Sequence, residues 1–322
     1  MQTVHTAYGP IEAHRVEYYP GGSLKSLVPA ARSVLTTPFG QFIPQFESGE
    51  ERRRVIPEVS FHPNGTIRSL PLQEHFQVST PLGLLSAELI TFHDTGAVKR
   101  VFPLNGRLSG FWSQEDEAAL AKEQVIETPF GLICSRFISI CFNEDSTLRS
   151  LTLWPGEVVE VPTPIGILPA RVGISFYPDG KVASLEPARP LRISTRMGML
   201  HAFDPDAHGV HGDCNSLQFD SEGRVIALST VMDQVGITGP DGLNRVVRPA
   251  VRESYCSENV FEPVPMQVVF EEEKVVFQPG SKERSCFPLS RTRFCLSSMA
   301  SEFPRLKMPV SNFSLGQGCG LG

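Results

Sequence analysis

The chain has 322 residues and a formal net charge of −6, with 41% hydrophobic and 20% charged residues, 27 glycines and 27 prolines. Such a composition can bury a core and favours many turns over long helices, and its acidity argues against a general nucleic-acid binder. No run of about 18 apolar residues occurs, so no transmembrane segment is expected, and residues 1–5 lack the basic and apolar segments of a signal peptide, which points to the cytoplasm.

The first 35 residues carry the first copy of a pattern that organises the chain: Tyr18, the turn Tyr19-Pro20-Gly21-Gly22, then Leu24 and Leu27. Proline presets φ, glycine takes a positive-φ site and the apolar alternation resumes, which is the chemistry of a β-hairpin. Further copies run from Phe61 to Gly65 with Ile67 and Leu70, and from Phe92 to Gly96 with Val98 and Val101. Three more follow, from Phe142 to Ser146, Phe176 to Gly180 and Phe219 to Gly223. A second marker alternates with them: Thr37-Pro38-Phe39-Gly40, Thr80-Pro81-Leu82-Gly83, Thr128-Pro129-Phe130-Gly131, Thr163-Pro164-Ile165-Gly166 and the decayed Thr195-Arg196-Met197-Gly198. Two independent markers in constant order define a structural repeat with loops of varying length.

Between and after these markers lie four other elements. Residues 47–54, Glu-Ser-Gly-Glu-Glu-Arg-Arg-Arg, are a mixed charge run expected as a solvated loop. From Ser113 the sequence predicts one short helix, with Ser113 as cap, Asp116 at the third helical position and Trp112 anchoring it to the sheet. Val268-Val269-Phe270 and Lys274-Val275-Val276-Phe277 predict a closing hairpin. The stretch from Ser281 is basic and is expected to dock back on the acidic body. The seven cysteines are odd in number and irregularly spaced, so most read as free thiols, with Cys134 and Cys141 as buried small hydrophobes.

Two places could hold chemistry. The insertion at residues 201–214 gathers His201, His208, His211 and Cys214 with three aspartates, and its glycines would let a loop bring imidazole and thiolate together around zinc. The commoner outcome for such a segment is a polar surface loop. The residue after each hairpin aromatic is Tyr19, His62, His93, Asn143, Tyr177 and Asp220 in turn. Stacked units would set these in one polar row, with His62 and His93 as neighbours, which is either a solvated ladder or the wall of a groove. No phosphate loop, metalloprotease helix or nucleophile elbow is present, so catalytic residues and cofactors are not assigned.

The segments Phe176-Tyr177-Pro178-Asp179-Gly180-Lys181-Val182, Phe61-His62-Pro63-Asn64-Gly65-Thr66-Ile67 and Tyr18-Tyr19-Pro20-Gly21-Gly22-Ser23-Leu24 resemble the hairpin repeats of MORN-like proteins, in particular the YwqK-type antitoxin-repeat families. The resemblance spans about residues 10–230. It implies hairpins stacked into an elongated sheet that serves for protein or lipid contacts and not for catalysis. The Thr-Pro-x-Gly marker and the longer units depart from that pattern. The sequence therefore predicts an all-β fold: a repeated β-hairpin array, solenoid-like or an elongated twisted antiparallel sheet, with one short helix. About six units would fill residues 1–235, with a C-terminal extension, a further hairpin and a basic tail over 236–322. The expected function is a non-enzymatic scaffold contacting a protein partner; the alternative is a metal-binding protein or metal-dependent enzyme using the insertion.

Overall fold

The computed structural model describes residues 1–208, 212–213, 215–253, 261–280 and 283–299. Among them are 28 strands and one helix, as the all-β reading requires. Contacts divide the chain into two compact units. The first comprises residues 1–185, 208–215 and 219–224, and the second residues 186–207, 216–218 and 225–322.

All six aromatic–turn–glycine segments form the same turn. The amide after the aromatic donates to the carbonyl four residues on, and the amide at the glycine position donates back, as in Tyr19 N to Ser23 O and Gly22 N to Tyr19 O, both 2.8 Å. The glycines sit at φ between 81 and 87°, and Ser146, which replaces glycine once, is held at 66°. This is a three-residue loop closed by a left-handed residue, which glycine enters without steric cost. We call each such hairpin a rung.

In the first unit the rungs pair in chain order. Strands Gly9–Tyr18, Leu24–Pro29, Val59–Phe61, Ile67–Thr80, Gly83–Phe92, Val98–Phe102, Phe137–Phe142, Leu148–Leu153 and Gly166–Phe176 make one antiparallel ladder. Directly opposed residues form two rows across it. One is aliphatic, running through Leu27, Val59, Leu70, Ile90, Val101, Ile140, Leu151 and Ile174, all 0 or 1% exposed. Each such side chain contributes about 1.5–3 kcal/mol by leaving water. The other row, on the opposite face, is mostly of small polar residues, with Arg100 and Cys141 as the exceptions: Ser26, Ser60, Ser69, Thr91, Arg100, Cys141, Ser150 and Ser175.

The threonine–glycine marker is a second hairpin in every unit. In Thr37-Pro38-Phe39-Gly40 the Thr37 hydroxyl accepts from the Phe39 amide at 3.1 Å and donates to the Gly40 carbonyl at 3.1 Å. The same pair of bonds recurs at Thr80, Thr163 and Thr195, and also at Thr6-Ala7-Tyr8-Gly9, a copy without proline. The glycines lie at φ between 104 and 135°, a conformation closed to residues with a Cβ. Two residues before the threonine and two after the glycine, an apolar pair faces inward: Val4 opposite Ile11, Leu35 opposite Phe42, Val78 opposite Leu85, Ile126 opposite Ile133, and Val161 opposite Leu168. We call these hairpins arms.

Arms and rungs interlock in the first unit. The arm residue Phe39 packs on Phe92 with ring centroids 6.1 Å apart, and Phe130 on Phe176 at 5.8 Å. Pro129 and Pro164 lie over Gly180 and Gly223 so closely that a Cβ there would meet a ring carbon at 2.7 and 2.6 Å. Each of these three arms thus reaches past the rung that follows it and folds over the one after. Where the strand Gly166–Phe176 passes from its arm pairing to its rung pairing, Val172 takes φ 58°, a strained value for a β-branched residue.

The helix forms as expected, over Gln114–Leu120, with Ser113 and Asp116 making a reciprocal capping box. The charge run before it is a correction to the sequence reading. Arg52 turns inward and holds Glu88 through Nη1 and Nη2 at 2.8 and 2.6 Å, and Glu117 through Nε and Nη2 at 2.7 and 2.8 Å. Arg53, at φ 60°, bonds Gln45 and the carbonyls of Leu72 and Gln73. Trp112 anchors the helix by donating Nε1 to Glu117 at 2.6 Å. The run is polar because it satisfies buried carboxylates, and only its other members face water.

The second unit repeats the same devices. Leu191–Thr195 and Gly198–Ala202 form an arm with Ile193 opposite Leu200. Val225–Thr230 pairs with Met266–Phe270, which forms the expected closing hairpin with Lys274–Pro279, and Ser285–Pro288 adds a further strand. Gly239-Pro240-Asp241-Gly242 makes a rung turn, with Gly242 at φ 73°, that the sequence reading passed over. Of the basic stretch, Arg293–Ser298 forms a strand paired with Asp233–Thr238; the residues from 300 onward lie outside the described ones. Cys141 is buried, but Cys134, Cys286 and Cys295 are exposed, so Cys134 does not serve the core: the alternation of its strand turns it away from Ile133.

Candidate interaction face

The arms position one residue type in a constant place. The residue after the arm glycine points away from the inward pair, and in the last three arms of the first unit it is Leu84, Leu132 and Ile167, which are 67, 74 and 68% exposed. Val125 and Ile165 extend the apolar surface on the same hairpins and are also exposed. The first two of these arms are adjacent: the Glu127 amide donates to the Leu82 carbonyl at 3.5 Å and the Ser86 amide to Gln124 Oε1 at 3.0 Å. In the second unit Met199 holds the same register and is exposed. Isolated exposed aliphatics are ordinary, whereas this set is fixed by repeat register on paired strands and forms a regular exposed apolar feature.

The polar row predicted after the hairpin aromatics is present but is used within the array. Tyr19 donates its hydroxyl to the Phe61 carbonyl at 2.9 Å, and Tyr177 donates to the Phe219 carbonyl at 2.8 Å. His62 Nε2 lies 3.1 Å from the Phe92 carbonyl and His93 Nε2 3.1 Å from the Phe142 carbonyl. A carbonyl only accepts, so both rings carry hydrogen on Nε2. Each side chain therefore ties its rung to the aromatic of the next. His62 and His93 both point along the array in the same sense, and neither is a bare imidazole facing a groove. Asn143 is too short for the span and bonds Thr147 instead, while Asp220 bonds Arg224.

The insertion is distributed differently. His201 belongs to the second unit and His208 to the first; His211 and Cys214 lie outside the described residues. His201 Nδ1 donates to Asp233 Oδ1 at 2.8 Å, its amide reaches Asp233 Oδ2 at 2.5 Å, and Thr230 donates to the same oxygen at 3.0 Å. Thr230-Val231-Met232-Asp233 is itself the arm turn with aspartate in place of glycine, since the Met232 amide bonds the Thr230 hydroxyl at 3.2 Å. His208 is exposed. Among the described residues no three His, Cys, Asp or Glu side chains gather as a metal site would require.

One further group in the second unit is unusual. Glu186, 1% exposed, accepts from the amides of Asp204 and Ser216 at 3.2 and 3.0 Å. Burial pushes its carboxyl up to about 7 in spite of those bonds, with the charge of Asp204 adding to the rise. No signal in the sequence marked it, because Glu186 stands next to the end of its strand, Val182–Pro187, where a charged residue ordinarily meets water. No described helix is long and apolar enough to cross a membrane. Comparison with models of protein families, with curated proteins and with solved structures finds no match for this chain.

Proposed function

We propose that the chain is a repeat scaffold that binds a protein partner through the outer faces of its arms. The observation that carries this reading is the register-fixed aliphatic set Leu84, Leu132 and Ile167, each about two-thirds or more exposed on neighbouring repeats. Apolar residues on rigid hairpins lose little conformational freedom on binding, and a contact core is built from such side chains. The resemblance of the rungs to MORN-like hairpins supports the same reading. The test is an affinity measurement with a partner captured on the immobilised chain and then purified. The variant Leu84→Asp/Leu132→Asp/Ile167→Asp loses at least tenfold in Kd; equal affinity for variant and wild type refutes the assignment.

A metal-dependent role is the second reading, favoured by one observation: His201 is oriented by Asp233 as a carboxylate orients a ligating imidazole. Elemental analysis of the purified protein decides it. Stoichiometric zinc that disappears in His208→Ala/His211→Ala supports this reading, and metal-free protein removes it.

A further inference from the structure

The sheet of the first unit carries a second regular feature, on the face of its small polar row. On four successive rungs the register slips just inside the turn, so that one residue stays out of the ladder: Lys25, Arg68, Lys99 and Arg149. At a bulge two consecutive side chains lean to the same side of the sheet. These cations therefore stand beside Ser26, Ser69, Arg100 and Ser150. Two contacts place three of them there, and Arg68 shares their register: Lys25 Nζ reaches Glu17 at 3.3 Å, in the pair opposite Ser26, and Lys99 and Arg149 line one open cavity of about 380 Å³ together with Arg100.

One strand lies between each cation-bearing strand and the next, so successive cations are two strand steps apart. At about 4.8 Å per strand the steps are about 9.6 Å, and the row is about 29 Å long. Lys25 is partnered by Glu17, whereas Arg68, Lys99 and Arg149 have no carboxylate within 4.0 Å among the described residues. The next rung carries Ala183 in this register, so the row ends there. The chain shows what this face accepts: the carboxylate of Asp213 lies on it, bonded to Arg100 at 3.2 Å and to the Ser150 hydroxyl.

We propose that this row binds an acidic polypeptide segment in polyproline II conformation, with a carboxylate at every third residue. That helix has three residues per turn and a rise of about 3.1 Å, so successive acids on one side lie about 9.3 Å apart and match the row step for step. A β-strand covers about 10 Å in three residues but turns the third to its other face. A nucleic acid is disfavoured by the net charge of −6, which repels a long polyanion, whereas a short segment meets only the local row. This site is on a different face from the aliphatic arm surface and stands without it.

The experiment is fluorescence anisotropy at low salt with a labelled, proline-rich synthetic peptide carrying four glutamates at every third position. Two probes accompany it: a peptide of the same composition with its glutamates contiguous, and an oligothymidylate of equal charge. The expected result is saturable binding of the periodic peptide that weakens with added salt and falls about two- to fivefold for each of Arg68→Glu, Lys99→Glu and Arg149→Glu. The three combined lose at least tenfold, with the circular dichroism and melting of the wild type, because all three are exposed. The variant Leu84→Asp/Leu132→Asp/Ile167→Asp binds the peptide as the wild type does, which separates this proposal from the arm surface. It is overturned if the periodic peptide does not bind, if the triple charge reversal binds it equally, or if the contiguous peptide or the oligothymidylate binds as tightly or more so.

Discussion

Replacing Arg52 by methionine tests the inward reading of the charge run at its strongest point. The substitution keeps most of the side-chain volume and removes four hydrogen bonds of 2.6–2.8 Å to Glu88 and Glu117. Those carboxylates are 2 and 9% exposed at the side chain, so neither recovers the loss from water. Glu88 keeps the Asn105 amide at 2.7 Å, His75 Nε2 at 3.0 Å and the more distant Arg53 at 3.9 Å, and Glu117 keeps Trp112 and the Gly106 amide, but both carboxylates lose the guanidinium that bonds them directly. Breaking a buried pair from one side costs about 3–5 kcal/mol. Burial raises the Glu117 pKa, yet the bonds from Arg52 and Trp112 outweigh it and hold the carboxyl below its ordinary 4.5. A depressed native pKa contributes stability that is present above about pH 4.5 and is lost as pH falls through the native value. The deficit of Arg52→Met is therefore full at pH 7 and shrinks as pH falls below about 4.5. Urea unfolding followed by the fluorescence of Trp112, in a Trp154→Phe background, measures both quantities. A loss under about 1 kcal/mol at pH 7, or one that does not change with pH, refutes the argument.

Other perturbations follow from the same geometry. Tyr177→Phe removes one bond between rungs and is expected to lower stability by about 0.5–1.5 kcal/mol, read from the urea midpoint. Gly166→Ala places a Cβ at φ 120° on an arm turn and is expected to cost about 1–3 kcal/mol, with Thr163→Val, which loses the hydroxyl's two bonds, costing about 1 kcal/mol in the same assay. Glu186 has its native pKa raised from 4.5 to about 7, so it costs nothing below pH 4.5 and progressively more as pH rises through 7. Glu186→Gln removes the titration but keeps only one of the two amide bonds, because its NH2 cannot accept from the other amide; it is expected to remove about 3 kcal/mol of pH dependence and so to flatten the stability between pH 4.5 and 7, which denaturation at a series of pH values checks.

The rungs were legible because their cause is local. Proline, aspartate or asparagine and a positive-φ glycine act within five residues, and the alternation around Phe61 or Phe176 names the buried face. The arms announced themselves only as a recurring marker. Their glycine lies after the two loop residues, on the strand, and their closing bonds run through the threonine hydroxyl, so the usual two-residue turn pattern does not match Thr-Pro-Phe-Gly. What depends on distant partners was hidden. Arg52 meets carboxylates 36 and 65 residues away, and His62 meets a carbonyl 30 residues away, so each looked like a solvent-facing polar group. The cation row was present in the sequence as Lys25, Arg68, Lys99 and Arg149, three residues past each turn glycine or its serine substitute. Without the bulge, plain alternation would have spread these four among ordinary exposed positions, and nothing in the spacing marks a bulge.

Both proposed faces require that successive rungs occupy adjacent, equivalent places in one sheet. Spin labels at residues 25 and 149, on a background with every native cysteine but the buried Cys141 replaced by serine, measure this by pulsed electron resonance. Six strand steps predict a backbone separation of about 29 Å, and the intermediate pair 25 and 99 predicts about 19 Å. Distances that do not grow in proportion to the number of rungs between the labels contradict the stacking on which both faces rest.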